Sequence, residues 1–404
     1  MKRALALALV ALLGLAHAPH AAAGSHAPLY PAELTALLPR WIDEAEALVA
    51  PGAQERPWWP EAERFLTMAK DASSGGRLRV AMFHLETFTE LTLTGQLMDD
   101  ANASRTSDAE RKAYIQQRVG AMRHDSEEDW ARFRATLHGY DAQLRSLQTI
   151  EKALYAADIA ATGRLLVDTY DGYAQEFPRQ AGVPKGYVMG LVRAAHTSGL
   201  NVGWAQDMLA ESVKQEGLPP RVLEEPWANI TSAAVQVPEG DVPSYMRPLA
   251  DLADEARANN ETLLSIVLSL AEQRAARAYE MHSIFGDAES RAKNVVADSA
   301  AGMNRKLRNT SVETPRGNGL TGIFTGDAID RARYTNELHE QGKADLGIII
   351  IAWSALEHAT YVHATLASAS PVVPPEPTTQ TPGPALAALL AVLALAALAT
   401  RRPR

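Results

Sequence analysis

The chain contains no cysteine. Disulfides, thiolate metal sites, cysteine nucleophiles and a lipid-bearing N-terminal cysteine are therefore excluded, and any folded body must be held by its core. Alternating Val/Ile/Thr runs, the mark of half-buried strands, are also missing. No Gly-x-Ser-x-Gly, His-Glu-x-x-His or Walker pattern occurs. Glu-x-x-His, which builds di-metal centres in helical bundles, is absent as well. Basic residues are outnumbered: the net charge is −9, and −14 once the basic residues at the two ends are set aside. That sign argues against nucleic acid and against an anionic membrane surface as partners of the central region.

The longest apolar runs lie at the ends. Lys2 and Arg3 precede an apolar stretch, Ala4 to Ala16, followed by small residues up to Ala23. This is the order of a secretory signal peptide over 1–23, with cleavage expected after Ala23 or after Ala18 and an uncleaved anchor as the alternative. At the other end, 371–384 is rich in Pro and Thr, 385–400 is an Ala/Leu/Val run closed by Thr400, and 401–404 is basic. As a helix the run would extend roughly 24 Å against about 30 Å of hydrocarbon, a short membrane span with its arginines on the cytoplasmic side. Together the ends predict an exported protein anchored to the outer face of a membrane.

The order of stalk, tripeptide, apolar segment and basic end resembles the PGF-type C-terminal sorting signals of archaeal surface proteins, which archaeosortases read. The tripeptide here is Pro382-Gly383-Pro384, with Pro in place of the family's Phe. Pro375-Glu376-Pro377 resembles the bacterial PEP-type exosortase signal, although it stands further from the apolar run than is usual. The resemblance covers less than a tenth of the chain. It implies a sortase-type processing enzyme as a partner and a lipid that replaces the removed segment.

Between these ends the sequence reads as helix nearly throughout, because Ala, Leu, Glu, Arg and Gln dominate. The expected fold is all-α, one or more bundles of long antiparallel helices. Pro31–Val49 is expected to be kinked at Pro39, Pro57–Ala72 to end at Ser73-Ser74-Gly75-Gly76, and Arg77–Asn102 to follow. Ser107-x-x-Glu110 is a capping box opening a helical region that runs to about Phe177, with a break expected near Arg123–Ser126 or Gly139. Phe177–Gly186, with two prolines and two glycines, is the expected boundary between helical subdomains at 28–177 and 186–370. The next helix, to Gly217, carries small residues (Gly190, Ala194, Ala195, Ser198, Gly203) suited to close helix approach. Ser244–Phe285 is the clearest amphipathic segment. Glu313–Gly326 reads as a Gly-rich loop before a last long helix, Asp327–Ala369, whose Leu346–Leu356 section is apolar on every side and is expected at the centre.

Few residues stand out as carriers of chemistry. Gly317-Asn318-Gly319-Leu320-Thr321-Gly322 matches the dinucleotide fingerprint but lacks its strand, and reads as a helix–helix loop. The metal candidates are His84, Glu86, Glu90, His358 and His363. Glu86 and Glu90 have the four-residue spacing of a helical ligand pair, whereas His358 and His363 do not share a face. Asp125–Asp129 is an acidic helix segment rather than a calcium loop. Trp41, Trp58, Trp59 and Trp130 are expected in the core. Four sequons, at Asn102, Asn229, Asn260 and Asn309, suit a glycosylated surface protein. The combined reading is a membrane-anchored interaction or display module with an unknown partner for its ectodomain and no assigned cofactor. A metal- or cofactor-binding bundle enzyme or sensor, and a solute-binding surface protein, are the alternatives.

Overall fold

The computed structural model describes residues 29–141, 147–167, 169–214, 247–269, 271 and 322–342. The signal segment, the tail with Pro382, Gly383 and Pro384, the Leu346–Leu356 section, His358, His363, Asn229, Asn309 and nearly all of the Gly-x-Gly-x-x-Gly stretch lie outside these residues. The chain divides into two compact units, Met1–Ala369 and Ser370–Arg404, and every described residue belongs to the first.

The described residues are all-helical, with no strand among them. In chain order the helices are α1 (Ala32–Thr35), α2 (Leu38–Glu46), α3 (Trp59–Ser74), α4 (Leu78–Ser104), α5 (Asp108–Asp141), α6 (Leu147–Val167), α7 (Tyr170–Glu176), α8 (Lys185–Val192), α9 (Ser198–Lys214), α10 (Arg247–Ala258) and α11 (Gly322–Glu340). A π-helical turn, Arg193–Thr197, joins α8 to α9, and residues 262–269 are also helical.

Local chemistry sets the ends. Pro39 does more than kink its segment: α1 stops at Thr35, and α2 begins with the proline in its first turn, where the missing N–H costs nothing. At the end of α3, Gly76 takes φ +65°. The Arg77 N–H then reaches the Ala72 carbonyl (2.9 Å) and the Gly76 N–H reaches that of Ser73 (2.9 Å), a Schellman cap. The capping box forms as the sequence predicts, with Ser107 N–H donating to Glu110 Oε2 (3.1 Å) and Glu110 N–H to Ser107 Oγ (3.3 Å).

Three boundaries differ from expectation. Helix α5 runs unbroken through Arg123–Ser126 and ends at Asp141, two residues past Gly139, the second of the two expected positions; its acidic residues are largely solvated, and Ser126 turns inward to donate to the carbonyls of Met122 and Ala195. The amphipathic segment from Ser244 does not continue past Ala258. Asn260 adopts φ +58° and closes a second Schellman cap, with Glu261 N–H on Ala256 O (2.8 Å) and Asn260 N–H on Arg257 O (3.1 Å). The last described helix starts at Gly322, four residues before the expected loop ends, so Gly326 is helical. A Cβ on Gly326 would overlap the Leu29 carbonyl, and glycine there lets the N-terminal segment lie directly on α11.

Helix α4 is the axis of the described body. It buries residues on all sides, among them Leu78, Met82, Leu85, Phe88 and Leu91. It packs along α3 and touches α2, α5, α8, α11 and the π turn. The α6–α9 pair runs close because Gly163 leaves room: a Cβ there would lie 2.7 Å from the Ser198 carbonyl. Gly190 likewise accepts the ring of Tyr173. Trp41, Trp59 and Trp130 are buried, and Trp41 packs against Trp204 with ring centroids 5.3 Å apart and planes tilted by 32°. The larger hydrophobic cluster spans Tyr30 to Leu338, and the smaller joins Leu97, Ile115 and Val119 to Phe177, Val188 and Ala195. Both clusters cross Phe177–Gly186, so helices on its two sides share cores.

Candidate functional site

Helix α4 and the turn preceding it carry Arg77, Arg79, His84, Glu86 and Glu90 into the interior, and each meets a different environment. At its N-terminal end the free backbone N–H groups of Arg79 and Val80 donate to Asp330 Oδ2 of α11 (3.2 and 3.3 Å). A carboxylate from 250 residues away thus serves as the cap. The same carboxylate accepts from the Tyr30 hydroxyl (3.2 Å) and from Arg77 Nε (2.9 Å). Burial pushes the Asp330 pKa up, opposed by the Arg77 guanidinium and the Val80 N–H. Arg77 Nη1 also holds both oxygens of Glu337 at 2.9 Å.

One turn earlier on α11, Asp327 accepts from Arg331 Nε (2.7 Å) and from the Tyr155 hydroxyl of α6 (3.0 Å), with Arg79 Nε 3.9 Å away. Glu151 of α6 accepts from the Ile323 N–H (3.0 Å) at the start of α11. Burial and the nearby carboxylates raise the pKa values of Tyr30 and Tyr155 well above the usual phenol value. Helix α11 is therefore fastened to α4 and α6 by carboxylates that satisfy helix ends, arginines and tyrosines together.

Deeper along α4, Glu90 is 2% exposed. Arg193 grips it with Nε and Nη2 (2.9 and 2.8 Å), and the Thr197 hydroxyl donates to Oε1 (3.0 Å). Arg193 and Thr197 both lie on the π turn. The widened turn is a feature often found at functional positions, and here it presents both donors to one carboxylate. Glu86, one turn before Glu90, is partly buried and has an Oε1 with no partner. Its pKa is raised by burial and by Glu90, and is opposed by Arg79, Asn201 and Arg193. Arg79 Nη1 and Asn201 Oδ1 are also buried without partners.

His84 is 2% exposed and sits among rings. Its ring centroid lies 5.9 Å from Phe65, 5.7 Å from Phe83 and 5.4 Å from Tyr334. Burial, then the Arg77 and Arg64 guanidiniums, pull its pKa down to about 3, so it is neutral at physiological pH. His196, on the π turn, is held at about 4 by burial, and its Nε2 has no partner.

The three described metal candidates thus share a helix without sharing a site: His84 faces aromatics, Glu86 faces Asn201 and Arg79, and Glu90 is held by Arg193. Among the described residues no group of three or more His, Asp or Glu is placed to hold a metal ion. Of the sequons, Asn102 near the end of α4 and Asn260 at the C-terminal cap of α10 are both exposed. Sequence reasoning missed Arg77, Arg79, Arg193, Asp327 and Asp330. A partial signal was present for Arg193 alone, a lone charge that follows Gly190-Leu191-Val192 and precedes Ala194-Ala195.

No helix among the described residues is long and apolar enough to cross a membrane. The body is an all-α assembly, and comparison with protein families, curated proteins and solved structures finds no match for the chain.

Proposed function

We propose that this is an exported helical module, tethered to the outer face of a membrane by its C-terminal run, that acts by binding a partner at the cell surface. The observation that carries the reading is the order of the tail: a Pro/Thr-rich stalk at 371–384, an apolar run at 385–400 and a basic end at 401–404. The stalk would hold the helical body away from the bilayer. A sortase-type enzyme would exchange the apolar segment for a lipid, and the exposed sequons Asn102 and Asn260 would carry glycans. Among the described residues the buried carboxylates Glu90, Asp327 and Asp330 engage arginines and hold helices together, a structural use of charge that leaves partner binding to the outer faces.

The test is fractionation of cells expressing the full chain. The protein is expected in alkali-washed membranes, to be digested by protease added to intact cells, and to appear in the medium when truncated before Ala385. Mass analysis of the C-terminal peptide separates a retained span from a lipid. Recovery in the cytosol with Met1 intact would overturn the localisation. A stoichiometric metal in the purified full chain, lost on Glu86→Gln, would overturn the purely binding role.

A further inference from the structure

We propose that the junction of α3, α4 and α11 binds an oxyanion, a carboxylate or a phosphate group, among Arg64, Arg77, His84 and Tyr334. Four buried polar atoms gather there without a protein partner: Arg64 Nε, Arg77 Nη2, His84 Nδ1 and Tyr334 Oη. They belong to one neighbourhood. The His84 and Tyr334 rings meet edge to face at 84° with centroids 5.4 Å apart. Arg77 Cζ stands 6.0 Å from the Tyr334 centroid, and Arg64 Cζ stands 5.0 Å from that of Phe65, itself 5.9 Å from His84. Both guanidiniums act electrostatically on His84 and on Tyr334.

The chemistry of the four atoms selects the ligand. A guanidinium N–H can only donate. The tyrosine hydroxyl can donate, and neutral His84 can place its proton on Nδ1. A cation would meet two arginines and is disfavoured. A group that accepts several hydrogen bonds and carries negative charge matches the set, and planar guanidinium forks favour carboxylate and phosphate oxygens.

The arginines are not both neutralised by the protein. Arg77 spends Nε on Asp330 and Nη1 on Glu337, which leaves Nη2. Arg64 has no ion pair among the described residues. The nearby Glu337 carboxylate limits the ligand to a small charge. Arg64, Arg77 and Tyr334 are partly exposed as residues and His84 is buried beneath them, so the four buried atoms lie just below the surface.

The experiment uses the full chain in mild detergent, labelled with ¹⁵N-histidine, and follows the His84 ring resonances, identified by their loss in His84→Gln. Sodium acetate and inorganic phosphate are titrated separately at constant ionic strength and pH 7. A saturable His84 shift is expected with one of them, and which one distinguishes a carboxylate from a phosphate source. The exposed His124 should not follow the same curve. Arg64→Gln and Tyr334→Phe should each weaken the midpoint by about tenfold, the value of one charge-assisted hydrogen bond. Tyr334→Phe keeps the test open should Arg64→Gln fail to fold. The absence of a saturable shift up to about 50 mM, far above a millimolar Kd, in protein with intact helical circular dichroism would overturn the proposal. So would midpoints that the two variants leave unchanged, which would mean that water alone meets these atoms.

Discussion

Removing the Glu90 carboxylate isolates a two-pronged buried ion pair of the described body. Two nitrogens of Arg193 lie 2.9 and 2.8 Å from its oxygens, and the Thr197 hydroxyl lies at 3.0 Å. At such a separation and an effective dielectric of about 20, the attraction is roughly 6 kcal/mol before desolvation is subtracted. The two side chains are not equally hidden: that of Glu90 is 3% exposed and that of Arg193 is 22% exposed. Solvent therefore screens the arginine once its partner is gone. Breaking one side of a buried pair typically costs about 3–5 kcal/mol, and the exposure of Arg193 places Glu90→Ala near the lower end, at about 3 kcal/mol. Arg193→Met should cost at least as much, because it leaves the more deeply buried charge alone. The double variant Glu90→Met/Arg193→Met should cost less than the sum of the single changes by about 2 kcal/mol. Urea unfolding of the full chain in mild detergent, followed by circular dichroism, supplies the three values. Single costs below about 1 kcal/mol, or strict additivity, would refute the view that this pair fastens the π turn to α4.

Three further outcomes follow from the same geometry. Burial raises the pKa of Glu86, so its contribution to stability is full below the unfolded carboxyl value of about 4.3 and is lost as pH rises through the folded value; urea midpoints across pH should show Glu86→Gln at least as stable as the parent at neutral pH, with the difference closing toward acid. Gly326→Ala should lower stability by roughly 1–3 kcal/mol, since the obstructing atom is the Leu29 backbone carbonyl, whereas Gly203→Ala, with nothing within 4 Å of the added carbon, should raise the thermal midpoint. Asn260→Gly should keep the cap, and Asn260→Gln should lose roughly 1 kcal/mol to the left-handed backbone; both remove the sequon, so loss of a glycan, read by mass, is separated from loss of the cap.

What could be read from the sequence was local. Ser107 and Glu110 stand three residues apart, and their reciprocal hydrogen bonds need nothing beyond that turn. Gly75-Gly76 stops α3 for a similar reason, since glycine adopts the left-handed cap without strain. Asn260 does the same work less visibly. Asparagine tolerates positive φ, but it sits inside an apolar repeat that continues across it at helical spacing. The repeat records which faces are buried, and two helices joined by a tight cap can both bury a face. Gly326 departs from its local pattern in the opposite direction. Clustered with other glycines it resembles a loop, yet it is required because the N-terminal segment crosses α11 there, a contact made some 300 residues away along the chain.

The interior charges mark the point at which local reasoning stops. Glu86 and Glu90 were legible as a pair on one helical face, and four-residue spacing makes them equally suited to a metal, to solvent or to an arginine. The choice depends on what faces them. For Glu90 the answer is Arg193, 103 residues later, and for Arg77 it is Asp330, 253 residues later. Side-chain spacing within a helix is a property of that helix, whereas the identity of a buried charge's partner is a property of packing. The exception is the buried polar group left without a partner. Arg64 Nε and Tyr334 Oη are buried without a protein partner, and buried polar groups are as a rule hydrogen-bonded; this mismatch, invisible in any helical repeat, is what motivates the oxyanion proposal.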